Sequence, residues 1–134
     1  MTNTKYFYNN YYDRRQRYEI RKGMDAGVDV SIYANPEFDL RRMYWIRKAI
    51  ESNDNKYMKY LLNDNFDNSQ VVEIIIGLEC NINVDIYAKP EFNADQMKEI
   101  REGLEAGIDV SIYVNPALDA DQMAEIRYGL EENR

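Results

Sequence analysis

The sequence predicts an all-α fold: a short α-solenoid of about four helix–short helix–loop repeats, closed by a terminal capping helix. Three observations predict it. The first is an internal repeat. Gln96-Met97-Lys98-Glu99-Ile100-Arg101-Glu102-Gly103-Leu104 recurs 26 residues later as Gln122-Met123-Ala124-Glu125-Ile126-Arg127-Tyr128-Gly129-Leu130, and the segment Asp29 to Asp39 recurs as Asp109 to Asp119. The second is helical spacing of apolar residues, as in Met43, Ile46 and Ile50 or Met97, Ile100 and Leu104. The third is a polar cap ahead of every such stretch: Asp13, Asp39, Asp67, Asn93 and Asp119.

These signals order the chain as a single repeat domain over 1–134. It comprises an aromatic tail (1–12), repeats at about 13–38, 39–66, 67–92 and 93–118, and a capping helix at 119–134. The slot of Ile20 continues through Ile46, Ile74, Ile100 and Ile126, spaced by 26 except for 28 between residues 46 and 74. Four caps are followed three residues later by Gln16, Gln70, Gln96 and Gln122, the capping-box spacing in which glutamine reaches back to the cap amide. Asp39 instead has Arg42 at that position. Gly27 and Gly107 stand where a helix closes on a left-handed residue.

The segment after each helix is ambiguous. Val28 to Ile32 alternates like a strand. The divergent second repeat carries Tyr57, Met58, Leu61 and Leu62 in that slot, which suits a helix. One element per slot makes Asp29 to Ala34 a short helical turn capped by Asp29 and stopped by Pro36. The small slot at Gly23, Ala49, Gly77, Gly103 and Gly129 costs helix propensity of up to ~1 kcal/mol each. Close approach of the neighbouring repeat is the expected compensation.

Composition limits the chemistry. The chain has no histidine and one cysteine, Cys80. A tetrahedral zinc site, a Ser-His-Asp triad and a Cys-His pair are thereby excluded within one chain. Carboxylate chemistry and oxygen-ligated cations stay open. No stretch approaches the ~20 apolar residues of a membrane helix, and the first twenty residues lack the pattern of a secretory signal. The expectation is a cytoplasmic, non-enzymatic protein without cofactor or metal.

The strings Gln-Met-x-Glu-Ile-Arg-x-Gly-Leu-Glu-x-Gly at 96–107 and Ile-Tyr-Ala-x-Pro-Glu-Phe at 32–38 and 86–92 resemble a helical repeat of proteins from gut Firmicutes, their phages and mobile elements. The resemblance spans most of the chain after Asp13. Two departures stand out: residues 51–66 lack the proline motif, and the first eleven residues lie outside the pattern. The family carries no settled activity. A short array of this kind implies a phage or mobile-element protein that blocks a host factor in the bacterial cytoplasm, such as an anti-CRISPR or other anti-defence inhibitor.

Charge is divided unevenly along the chain. Residues 1–50 hold ten Lys/Arg against six Asp/Glu, a balance of +4; residues 51–134 hold seven against eighteen, −11. In a solenoid this gives a basic end and an acidic end, which steers charged partners in a salt-dependent way. With Met43, Ile46 and Ile50 inward, helical geometry puts Arg41, Tyr44, Trp45 and Lys48 outward, beside Arg15, Tyr18 and Lys22 of the preceding helix. These seven residues form the candidate partner-binding site, because Trp, Tyr and Arg dominate interface hot spots. The competing reading is that the tail from Tyr6 to Tyr12 folds back over them. Val72 and Ile76 make the third long helix apolar on a second side, and Arg21, Arg47, Arg101 and Arg127 form a ladder expected to pair with carboxylates of adjacent repeats.

Three functions fit this pattern. The leading one is occlusion of a host protein, such as a nucleic-acid-binding defence complex, by the basic aromatic end. Direct nucleic-acid binding there is the second, disfavoured by a net charge of −7. A homo-oligomeric structural role, a homodimer included, is the third.

Overall fold

The computed structural model describes residues 11–133, and every regular element among them is helical. The long helices are α1 (Arg14–Asp25), α2 (Leu40–Glu51), α4 (Asn68–Glu79), α5 (Ala94–Glu105) and α6 (Ala120–Glu132); α3 (Met58–Leu61) is a single turn. Short 3-10 turns lie at Val30–Ile32, Val84–Ile86 and Val110–Ile112. No helix among the described residues is long and apolar enough to cross a membrane. The repeat register reads as one domain, and the contacts group into two compact units, Met1–Asp64 and Asn65–Arg134. Within each, successive long helices pack on their sequence neighbours, α1 on α2 in the first and α4 on α5 on α6 in the second. Each unit is thus an α-solenoid-like stack of helix–turn–loop repeats.

The long helices begin as their caps dictate. Asp13, Asp67, Asn93 and Asp119 accept from the amide three residues on, and the glutamine there returns a bond to the cap amide. In three repeats that glutamine does more. Its Oε1 serves the cap while its Nε2 donates to two carbonyls of the loop that follows: Gln16 to Pro36 and Phe38, Gln70 to Pro90 and Phe92, Gln96 to Pro116 and Leu118. One amide side chain therefore both starts the helix and anchors the end of its repeat. Arg42 serves the second repeat in the same way, donating from Nε to the Leu61 carbonyl at 2.8 Å and from Nη2 to that of Asn63 at 2.9 Å.

Four helices end alike. Gly27, Asn53, Asn81 and Gly107 all have positive φ, at 76°, 55°, 58° and 75°. Each is followed by an amide that reaches back to the residue in the small slot, Gly23, Ala49, Gly77 or Gly103, closing a Schellman turn. Asparagine takes the left-handed residue at two ends because its short side chain tolerates that conformation.

Asp29 caps the turn at Val30–Ile32 through the Ser31 amide, so the strand-like alternation is that of a 3-10 turn. The turn explains the small slot, and here the structure corrects the sequence reading. The close approach comes from the repeat's own turn. A Cβ at Gly23 would lie 2.1 Å from Tyr33 Oη and 2.8 Å from Val30 Cγ1; Gly77 and Gly103 meet Tyr87 with Val84, and Tyr113 with Val110, in the same way. Each phenol donates into the helix, to the carbonyls of Glu19 (2.6 Å), Glu73 (2.6 Å) and Glu99 (2.8 Å). All three tyrosines are fully buried. Burial raises their pKa, since the phenolate would have to be desolvated.

Between helices three of the ladder arginines, Arg47, Arg101 and Arg127, pair as expected. Arg47 Nε meets Glu19 of α1 at 2.9 Å, Arg101 Nε meets Glu73 of α4 at 3.0 Å, and Arg127 Nη2 meets Glu99 of α5 at 3.0 Å. Each arginine also holds a carboxylate one turn on, Glu51, Glu105 or Glu131. Burial opposes the charge on these arginines, and the carboxylates more than offset it, leaving their pKa raised. Ile20, Met43, Ile46 and Leu61 form the dry centre of the first unit; Val71, Ile74, Met97, Ile100 and Met123 form that of the second.

Candidate functional site

The first unit carries a groove of about 430 Å³ over the packed pair α1 and α2, lined by Arg14, Arg15, Tyr18, Glu19, Leu40, Arg41 and Tyr44. The capping boxes explain its construction. Asp13 and Asp39 start the two helices in the same register, so 14 and 40, 15 and 41, and 18 and 44 are equivalent positions 26 residues apart. Packing of α1 on α2 sets these pairs side by side.

Its electrostatics are one-sided. Glu19 is buried, with its carboxylate held by Arg47. Arg14 and Arg15 are exposed and have no carboxylate partner among the described residues, while Arg41 reaches Asp39 only at 3.8 Å from an exposed position. Cations also stand near the tyrosine faces: Lys22 Nζ is 5.5 Å from the Tyr18 ring centre, and the Arg47 guanidinium is 5.4 Å from that of Tyr44. Tyr18 and Tyr44 remain well exposed. The groove offers two phenol rings and an aliphatic side chain flanked by three guanidinium groups. Such a surface can hold an apolar side chain with carboxylates around it.

Four of the seven candidate residues, Arg15, Tyr18, Arg41 and Tyr44, line the groove. Lys22 and Lys48 are exposed outside the lining. Trp45 departs from the expectation that it points outward. It is half-buried, with its ring edge-on to Tyr44 at 5.7 Å and to Tyr57 at 6.2 Å, so part of its surface belongs to packing within the unit. The sequence reading missed Arg14 and Leu40. The signal available for them was the register itself, since they are the first helical residues and precede Arg15 and Arg41.

Of the aromatic tail, Tyr6 to Asn10 lie outside the described residues. Tyr11 is exposed, and Tyr12 is buried with its hydroxyl donating to the Ala34 carbonyl at 2.9 Å. In the second unit Val72 and Ile76 are half-buried. Cys80 is exposed. No cluster of three acidic or Cys side chains able to hold a metal occurs among the described residues. Comparison of the chain with protein-family models, curated proteins and solved structures found no match.

Proposed function

We propose that this chain is a non-enzymatic, protein-binding repeat protein that docks on an acidic surface of a host protein through the α1–α2 groove and acts by occlusion. The observation that carries the reading is that groove chemistry belongs to this one helix pair. At the slots of Arg15 and Arg41 the later helices have Ser69, Asp95 and Asp121; at those of Tyr18 and Tyr44 they have Val72, Lys98 and Ala124. The repeat scaffold itself does not require arginine or tyrosine there. Exposed aromatic rings beside exposed guanidinium groups are the usual makings of an interface anchor. Absence of histidine supports a binding role over catalysis. The repeat resemblance supports a phage or mobile-element inhibitor of a bacterial defence complex, an anti-CRISPR among them, working in the host cytoplasm.

Direct binding of single-stranded nucleic acid is the second reading, favoured by the same arginine–tyrosine combination and opposed by the net charge of −7. A nuclease-treated pull-down from bacterial lysate, comparing wild type with a Tyr18→Ala/Tyr44→Ala variant, tests the first. One protein is expected to be retained by wild type and lost with the variant, while thermal unfolding changes little because both residues are exposed. Retention only from untreated lysate, with salt-sensitive gel shifts on plain single strands, would replace this reading with the second.

A further inference from the structure

The chemistry of the groove continues beyond its lining as a patterned strip. Helices α1 and α2 carry matching side chains at equivalent positions: Arg15 and Arg41, then Tyr18 and Tyr44, then Lys22 and Lys48. All six residues are exposed. Because α1 packs on α2, each pair forms a row across the two helices. Intervals of three and four residues keep the rows on one face. The strip reads basic, aromatic, basic over about 10.5 Å of helix axis. Glu19 is the one carboxylate within residues 14–24 and 40–50, and it is buried and held by Arg47 at 2.9 Å. Asp25 and Glu51 follow only at the next turn.

The fold does not ask for this pattern. The later helices have Ser69, Asp95 and Asp121 in the arginine row, Val72, Lys98 and Ala124 in the tyrosine row, and Ile76, Glu102 and Tyr128 in the lysine row. Arg15 and Arg41 also stand in first helical turns, where the helix dipole disfavours cations and favours carboxylates such as Asp95 and Asp121. A carboxylate brought in by a ligand removes that conflict. Arg41 has only a distant one, Asp39 at 3.8 Å.

We infer that the α1–α2 face binds a single amphipathic helix of the partner, with carboxylates at i and i+7 and an apolar residue at i+3 or i+4. The inference rests on the proposed docking role and specifies what docks. Charge complementarity fixes the two ends, where carboxylates meet the arginine row and the lysine row. The apolar side chain lies on the tyrosine row between them. Spacing selects a helix, because one laid along the groove repeats the interval of 15, 18 and 22 in its own side chains. An extended segment spaces same-face side chains by about 6.8 Å and overruns three rows by about 3 Å.

The probe is a fluorescein-labelled, stapled helical peptide of about 15 residues, a length at which an unstapled helix is marginal. It has glutamate at i, i+1, i+7 and i+8 and leucine at i+4 on an alanine–glutamine background. A control peptide of equal composition spaces the same residues two apart. Titration with full-length protein is expected to give a saturable rise in anisotropy with the helical probe. The control, and a helical probe with glutamine for glutamate, should bind roughly tenfold more weakly. Lys22→Gln/Lys48→Gln, outside the groove lining, should weaken the helical probe several-fold at low salt and leave the melting midpoint unchanged. Equal binding of both spacings, no binding of the helical probe, or no effect of the lysine pair would overturn the inference. Where the pull-down still captures a protein through Tyr18 and Tyr44, the docking role survives that failure. Binding of oligothymidine in place of both peptides would overturn the docking role as well.

Discussion

Two glycine-to-alanine substitutions at equivalent positions should change stability in opposite directions. Gly103 and Gly129 occupy the same slot of successive helices, and neither has positive φ, so alanine brings no backbone strain at either. In isolation each substitution should stabilise its helix by up to ~1 kcal/mol. At Gly129 the added methyl meets nothing within 4 Å, and that gain should appear in full. At Gly103 it would stand 2.0 Å from Tyr113 Oη and 2.7 Å from Val110 Cγ1. The fully buried phenol must then move, at an overpacking cost of ~1–3 kcal/mol. Its 2.8 Å hydrogen bond to the Glu99 carbonyl is lost as well, for about 1 kcal/mol more. After the propensity gain, Gly103→Ala should destabilise by about 1–3 kcal/mol. Urea unfolding of the two variants by far-ultraviolet circular dichroism measures the difference. If both variants move in the same direction, the tyrosine does not lock the turn to the helix and the account of the small slot is wrong.

The remaining predictions concern charge and ionisation. Glu19 and Arg47 form a largely buried pair, with side chains 4% and 9% exposed. Arg47→Ala should cost ~3–5 kcal/mol by stranding the buried Glu19 carboxylate, and Glu19→Ala should cost less because Arg47 keeps Glu51 at 2.7 Å; the double variant should cost clearly less than the sum, and additive losses in denaturant melts would show that the pair is uncoupled. Tyr33, Tyr87 and Tyr113 have pKa values raised in the folded state, so their contribution is complete below the unfolded value of ~10 and is lost as pH climbs beyond it. Stability should fall steeply above that pH, and a Tyr33→Phe/Tyr87→Phe/Tyr113→Phe variant should show a shallower decline; an unchanged slope would place the alkaline transition elsewhere. Trp45→Ala should lower stability through the packing of its ring on Tyr57, unlike Tyr18→Ala or Tyr44→Ala. An unchanged melting midpoint for Trp45→Ala would return this residue to the docking surface.

Helix positions, caps, the short turn and the register were legible in the sequence because each rests on local physics. An aspartate or asparagine three residues before glutamine satisfies helix-start amides wherever it occurs, and apolar spacing of three and four picks the buried face. Repetition turned these signals into a fold, since a contact made once is made again 26 residues on. The groove was half legible for the same reason: Arg15 with Arg41 and Tyr18 with Tyr44 are register pairs on one exposed face.

Tertiary structure alone decided the rest. Nothing in the sequence ties Tyr33, Tyr87 and Tyr113 to the helix before them, and only packing shows each phenol seated over a glycine ten residues earlier, bonded to a carbonyl fourteen earlier. Arg42 looked like a broken capping box until its guanidinium was found to reach the Leu61 and Asn63 carbonyls. Trp45 occupies a slot that holds a carboxylate elsewhere, yet the nearby ring of Tyr57 draws it partly inward. Local spacing settles which face a residue occupies, whereas what comes to meet that face depends on segments ten to thirty residues away.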